Sequence, residues 1–395
     1  MNGALRVAFF TDSFHEVNGV ALTSRQLDAF ARRRGCPFYS VHAGPATAFT
    51  VDGNHATFEL QRAAASVALD RDLFFDPFLN RYMKQVNDKL KKFRPDVIHV
   101  TGPGDFGIMG ATLAAWNQLP LVASWHTNLH EFAARRLEKL LHFLPSEVQR
   151  GAATLAEHSS LCILGFFYRR AKVVLAPNQE LIDLVRNIAR KPSFLMQRGV
   201  ETDVFSPAQR DRSGGPFTLG FVGRLQAEKN VRFLAEIEQA LIDSGVTDYR
   251  FLIVGDGGER PWLEDNLRQA EFTGVLTGEP LARAYANMDL FVFPSFTDTF
   301  GNVILEAAAS GVPSVVTSGG GPKFLVTHGV TGLIAEDDDA FISSVRSVIE
   351  DREMHRGMCA AARQAACGVS WDDVFERVYD AYAVSMEEQA MRAVS

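Results

Sequence analysis

A chain of 395 residues, 47% apolar and 22% charged, has the composition of a globular protein long enough for two or three domains. It contains no run of about 18 apolar residues, so no membrane-spanning helix is expected, and the apolar run in Met1–Phe10 is too short for a signal peptide. The net charge of −7 is unevenly divided: residues 1–199 carry 24 Lys and Arg against 17 Asp and Glu, and residues 200–395 carry 16 against 30, which points to a basic, partner-facing first half.

Apolar strand-like runs alternate with amphipathic stretches along the chain, the pattern of parallel sheets with helices on both faces. In the first half, strands are expected at Leu5–Phe10, Phe38–His42, Val97–Val100, Leu121–Ser124 and Val173–Ala176. Helices are expected at Val20–Arg34, Lys84–Phe93 (ended by Arg94-Pro95) and Gly107–Asn117. The polar stretch Ser206–Pro216, with two prolines and two glycines, reads as a linker. Beyond it, strands are expected at Phe217–Val222, Arg250–Val254, Phe291–Phe293 and Ser314–Val316. The helices between them are Asn230–Asp243, Pro261–Ala270, Leu281–Met288 and Asn302–Ser310. Trp371–Met391 reads as one long helix that either packs locally or crosses back to the first lobe. The expected domains are therefore 1–205, a linker 206–216, 217–370, and a terminal helix 371–395. Cys36, Cys162, Cys359 and Cys367 show neither CxxC pairing nor metal-ligand spacing and read as reduced core thiols of a cytosolic protein.

The segment from Phe293 to Pro313 carries the most chemistry. Asp298 and Glu306 flank a turn, Thr299-Phe300-Gly301-Asn302, between a buried strand and a helix start. Ligands of open α/β sheets bind at such strand ends, and the free N–H groups of a helix start suit a phosphate. The flanking carboxylates repel a phosphate and suit hydroxyl groups, because an ionised carboxylate only accepts hydrogen bonds. A phosphate between two polyols is a nucleotide-sugar. Gly223-Arg224 and Lys229 form a second constellation after the strand Phe217–Val222. Fixed cations there would stabilise a departing diphosphate, with two solvated surface cations as the alternative. Asp298 could also serve as a helix cap.

Gly223-Arg224, Glu228-Lys229-Asn230, Gly255-Asp256-Gly257, and Asp298, Glu306 and Gly311-Val312-Pro313 together resemble the retaining glycosyltransferases of family four. The resemblance is specific over residues 217–335. It is weaker in the first half, at Asn18-Gly19-Val20, Ser124-Trp125-His126-Thr127 and Arg198-Gly199-Val200. It implies the GT-B fold: two Rossmann-like, doubly wound parallel-sheet domains facing a cleft. It implies that Glu306 binds the donor ribose, that Asp298 and His126 contact the transferred sugar, and that Gly19 approaches the sugar and phosphate. Phe272 and Gly274 then lie by the nucleobase. Asp298 stands where most members have Glu, a variant similar to GDP-mannose-dependent mannosyltransferases and to sulfoquinovosyl-lipid synthases using a UDP-sugar. Lys323 stands where many relatives have Glu, which leaves that residue's role without a bearer here.

The expected activity is transfer of a hexose, mannose from GDP-mannose, to a glycolipid or glycan hydroxyl with retention. No separate cofactor, no metal and no nucleic-acid partner are expected, since Arg224, Lys229 and the helix start take the metal's part. Arg32-Arg33-Arg34, Lys89, Lys91 and Lys92, Arg135-Arg136 and Arg169-Arg170-Lys172 lie near apolar Phe74-Phe75, Leu140-Leu141 and Phe166-Phe167-Tyr168. Such residues are either solvated helix faces or a surface that holds a cytoplasmic protein against an anionic membrane. A sugar-nucleotide epimerase or hydrolase on the same fold, and a non-catalytic sugar-binding protein, are the competing readings. A nicotinamide dehydrogenase is not supported, because no GxGxxG follows the first strand.

Overall fold

The computed structural model describes residues 4–70, 73–126 and 146–394. It forms two compact units: residues 1–197 with 372–395, and the contiguous segment Arg198–Trp371.

The first unit is built on β1 (Val7–Thr11), α1 (Gly19–Arg33), β2 (Phe38–Gly44), β3 (Ala48–Asp52), β4 (His55–Gln61), β5 (Val67–Asp70), β6 (Leu73–Phe75), α2 (Met83–Phe93), β7 (Val97–Val100) and α3 (Asp105–Trp116). It continues through β8 (Leu121–Ser124), α4 (Ser146–Tyr168), β9 (Val173–Ala176), α5 (Gln179–Ala189) and β10 (Ser193–Leu195). Among the described residues the main sheet runs β10-β9-β8-β7-β1-β2-β4-β3, parallel except for β3, which pairs antiparallel with β4. The inner strands are continuous Val, Ile, Phe and Leu runs because helices cover both faces, and all of β1, β7, β8 and β9 is buried. Asn18 caps α1 by accepting from the Ala21 N–H at 2.9 Å. β5 and β6 form a separate hairpin.

The long helix α12 (Trp371–Val394) joins this unit from Asp372 onward. Phe375 and Tyr379 pack tilted against Phe30, with ring centroids 5.6 and 5.7 Å away. Arg33 pairs with Asp372 at 2.6 Å, and Arg34 pairs with Glu376, so the acidic face of α12 engages these two cations of the Arg32-Arg33-Arg34 run.

The second unit carries β11 (Phe217–Val222), α6 (Phe233–Asp243), β12 (Tyr249–Val254), α7 (Arg260–Asn266), β13 (Ala270–Gly274), α8 (Gly278–Ala286), β14 (Leu290–Phe293), α9 (Asn302–Ala309), β15 (Ser314–Thr317), β16 (Gly332–Ala335), α10 (Asp338–Glu350) and α11 (Arg352–Cys367). Its sheet is parallel throughout, in the order β13-β12-β11-β14-β15-β16. Chain direction across the sheet reverses between β11 and β14, which opens a crevice where the loops following these strands meet.

Three expectations need correction. The helix expected at Pro261–Ala270 ends at Asn266, and Ala270 opens β13 instead. Ser206–Pro216 is fastened to the second unit: Arg210 (2.8 Å) and Arg212 both pair with Asp289, whose carboxyl is held below the usual range by the Thr218 N–H and these two guanidiniums, against its burial. The cysteines are free thiols, but Cys162 and Cys367 are exposed rather than in the core.

Candidate active site

In the second unit, the loops after β11 and β14 lie side by side because their strands are hydrogen-bonded neighbours. That adjacency brings Lys229 to Asp298, 69 residues away in sequence, with Nζ 2.5 Å from Oδ1. Ser295 donates to the other carboxylate oxygen at 2.6 Å. Thr297 donates to the Glu228 carbonyl at 3.2 Å, a second tie between the loops. Arg224 lies 3.5 Å from Glu228, both partly exposed. Asp298 is therefore an ion-pair partner and not the helix cap. The cap position of α9 is Gly301 at φ 99°, a left-handed conformation that favours glycine and that lets Asn302 begin the helix directly behind the turn.

The triple glycine 319–321 seats this loop. The Gly321 N–H donates to the Asp298 carbonyl at 2.6 Å, and a side chain at Gly321 would overlap the Thr299 carbonyl. Phe300 is buried beneath the Arg198 guanidinium, 5.6 Å from the ring centroid. Burial pushes Arg198 down to about 10. Lys323 lies over the Phe324 ring at 5.2 Å.

Glu306 lies one turn into α9. It accepts from the Tyr285 hydroxyl at 2.8 Å. Burial pushes its carboxyl up to about 7, with the Tyr285 bond opposing and the Glu201 carboxylate adding to the shift. A group poised there changes charge near neutrality. Gly223 turns at φ 156° immediately after β11, and Phe272 lies on β13 under Arg260, 5.9 Å from the ring centroid.

In the first unit, Gly19 is the first residue of α1, directly after Asn18. Its N–H is among those that have no partner within the helix. His126 follows β8 and is buried. It ends a chain of hydrogen bonds: Tyr382 Oη to His99 Nδ1 at 2.7 Å, His99 Nε2 to Ser124 Oγ at 3.0 Å, and Ser124 Oγ to His126 Nε2 at 2.7 Å. Burial pushes His99 down to about 3, so it is neutral and has one donor and one acceptor nitrogen. The relay runs in one of two senses: from Tyr382 through His99 and Ser124 to His126, which places the His126 proton on Nδ1, or from His126 Nε2 back to Tyr382.

Asp12, at the end of β1, accepts from the Phe106 N–H at 2.9 Å and lies against Asp105, which Arg62 clasps. Burial first, and Asp105 second, hold the Asp12 carboxyl well above its usual range. Asp12 thus buttresses the turn into α3.

The structure brings Lys229 and Asp298 together and sets Glu306 one helical turn behind Asn302. Arg224, Gly223 and Phe272 belong to the same unit, whereas Gly19 and His126 belong to the other. Tyr285, Ser295, Tyr382, His99 and the role of Ser124 were not read from the sequence. Tyr285 lies in a helical stretch whose core-like pattern hid its hydroxyl. The chain through His99 joins residues up to 283 positions apart, which no local spacing signals.

Comparison with known proteins follows the same division. Residues 216–351 match the family described as glycosyl transferases group 1, and residues 17–204 match glycosyltransferase family 4. The chain is 31% identical over 391 residues to a GDP-mannose-dependent alpha-mannosyltransferase of Corynebacterium glutamicum, covering 96% of this chain and 89% of that one. It is 28% identical over 307 residues to the sulfoquinovosyl transferase SQD2 of Arabidopsis thaliana, covering 73% of this chain and 56% of that one. Among solved structures, sucrose-phosphate synthase from Thermosynechococcus elongatus aligns with a TM-score of 0.71 at 18% identity, covering 99% of this chain and all of that one. Anabaena HepE in complex with UDP and glucose aligns at 0.67 with 17% identity, covering 96% and 99% of the two chains.

Proposed function

Because the chain belongs to the glycosyltransferases of family 4, a GT-B enzyme family, we propose that it transfers mannose from GDP-mannose to a hydroxyl of a glycolipid or glycan, with retention of anomeric configuration. The observation that carries this reading is the crevice between β11 and β14. There a lysine, a carboxylate and the start of α9 surround one turn, and Glu306 lies behind it.

The donor pyrophosphate would take the Asn302 helix start and Arg224, and Lys229 would turn from Asp298 towards it. The helix start and Arg224, together with Lys229 once it has turned, stabilise the leaving diphosphate, so the transfer step needs no divalent metal. Asp298, relieved of Lys229, accepts from hydroxyls of the transferred sugar. Glu306, when ionised, accepts from the ribose hydroxyls. His126 hydrogen-bonds the sugar, as the family resemblance implies. The acceptor hydroxyl attacks the face that the diphosphate leaves, through an oxocarbenium-like state. No enzyme carboxylate is assigned as a covalent nucleophile.

A UDP-sugar donor is the second reading, favoured by similarity to the Arabidopsis sulfoquinovosyl transferase. Thermal-shift titration with GDP-, UDP- and ADP-sugars separates the two, because the true donor raises the unfolding temperature by mass action. A shift with GDP-mannose, and mannosylated product on adding acceptor, supports the proposal. A shift with a UDP-sugar alone replaces the donor. Nucleotide release without any acceptor would instead mark a hydrolase.

An anionic membrane surface is part of this proposal. No helix among the described residues is long and apolar enough to cross a membrane. Phe166 is exposed beside Arg170, whose guanidinium lies 4.0 Å from its ring centroid, while Phe167 and Tyr168 are buried. Phe74 and Phe75 are about one-third exposed, at 37% and 36%. Arg135-Arg136 and Leu140-Leu141 lie outside the described residues.

A further inference from the structure

We propose that His15, His42 and Glu59 of the first unit form a binding site for a divalent first-row transition metal, zinc foremost. The site uses none of the residues assigned to the transfer chemistry.

Sheet register creates the grouping. His42 on β2 and Glu59 on β4 are direct partners across two parallel strands, and Thr11, the last residue of β1, is the partner of His42 on its other side. Four residues beyond Thr11, the loop returns His15 over the same strand ends. One ligating atom from each of the three residues lies within 4.8 Å of the other two. His15 Nε2 and Glu59 Oε1 are 2.8 Å apart.

The chemistry of His42 is the strongest sign. Its side chain is 1% exposed, and its ring stacks on Phe14 with centroids 3.9 Å apart and planes 4° from parallel. Nδ1 lies 3.0 Å from the Ala43 carbonyl, which can only accept, so the proton is on Nδ1. Nε2 therefore presents a lone pair, and that buried atom has no hydrogen-bond partner among the described residues. An imidazole fixed by Nδ1–H on a backbone carbonyl, with the opposite lone pair vacant, is how metal-binding histidines are held.

The site also has room made for it. A side chain at Gly44 would place Cβ 2.7 Å from Glu59 Cβ, so the glycine leaves the space through which Glu59 folds over the end of β2. Two imidazoles and one carboxylate form a donor set that suits zinc with one position left for water, and also iron(II). A tetrahedral ion with bonds near 2.1 Å needs ligands roughly 3.3 Å apart. His15 and Glu59 must open slightly and close toward His42. Both are partly exposed, with side chains 53% and 27% accessible, and are able to do so. On binding, the proton that His15 Nε2 gives to Glu59 moves to Nδ1, and the metal takes its place. The ion would fasten the loop after β1, which ends in the Asn18 cap of α1, to β2 and β4.

The test uses the full chain, stripped with chelator and titrated with zinc alone by calorimetry, with cobalt(II) absorption reporting the ligand set. About one equivalent should bind, and zinc should raise the unfolding temperature. His15→Ala and Glu59→Gln, both at partly exposed positions, should each weaken binding at least tenfold. Absence of saturable zinc binding overturns the proposal, as does equal binding by both variants. Loss of binding in Cys359→Ser overturns it too, because Cys359 Sγ lies 3.4 Å from His355 Nε2 and offers a rival thiolate site.

Discussion

The two units have parallel sheets and strand ends that suit ligands, yet they assemble their polar groups differently. In the second unit, the candidate residues other than Phe272 belong to two segments, 223–230 and 295–306, that follow one pair of adjacent strands. In the first, every grouping draws on several elements: His15, His42 and Glu59 come from three, and the chain to His126 from β7, β8 and α12. Short loops beside a switch point can place cations where charge develops. A buried relay holds a ring in one orientation and contributes less per residue. In the proposed reaction, charge stabilisation falls to the second unit and positioning to the first.

The sharpest way to break that assignment is Lys229→Ala or Arg224→Ala. Each should lower turnover about a hundredfold, the usual loss when one group stabilising a developing anion is removed. Near-normal steady-state rates would remove these cations from the leaving-group role.

A smaller effect is expected from Glu306. Its folded pKa, about 7, lies above the ordinary 4.5, so the folded state holds this proton more tightly than the unfolded chain does. Glu306 therefore lowers the stability of the free protein as pH rises from about 4.5 through about 7. Glu306→Gln should melt higher than the parent at pH 8, with the difference closing toward pH 5. Donor hydroxyls need the ionised form, so donor affinity should rise about tenfold between pH 6 and 8 and lose that dependence in Glu306→Gln. Calorimetric titration across this range measures both, and a flat profile for the parent would end the ribose assignment.

Tyr382→Phe should reduce kcat roughly fivefold, the worth of about 1 kcal/mol for one buried hydrogen bond, with KM for donor little changed. Nitrogen-15 NMR of His126 should show one tautomer in the parent giving way to a mixture in this variant. A Tyr382→Phe loss larger than that of Lys229→Ala would invert the comparison. The smallest effect is expected at the surface: replacing Arg169, Arg170 and Lys172 with alanine should reduce flotation with anionic vesicles and leave turnover of a water-soluble acceptor unaltered. Flotation that ignores lipid charge would remove the membrane from the proposal.

Legibility in the sequence follows the same line. Val97–Val100, Leu121–Ser124, Val173–Ala176 and Phe217–Val222 have the same ends in sequence and structure, because a buried parallel strand must be a continuous apolar run. β13 gave no such signal: Ala270-Glu271-Phe272-Thr273-Gly274 is an edge strand, only partly buried, and its first residue extended a helical pattern. The β3–β4 hairpin was missed for a similar reason, since β3 is mostly exposed. The turn from Asp298 to Asn302 was readable because strand, glycine and helix start are consecutive. The bond between Lys229 and Asp298 was not, because only the order of strands places them side by side. Tyr285 and Tyr382 looked like packing residues, and a hydroxyl inside an apolar face declares itself only when its partner is seen.

The division of the chain has one further consequence, for synthesis. The second unit is a single uninterrupted segment, whereas the first needs residues 372–395 to complete it. At roughly 5–20 residues per second, the ribosome makes residues 198–371 over roughly 9–35 s. Throughout that interval Phe30 and His99 wait without Phe375, Tyr379 and Tyr382. The domain begun first is thus the one finished last, and nascent chains stalled before residue 372 should be the ones that chaperones hold.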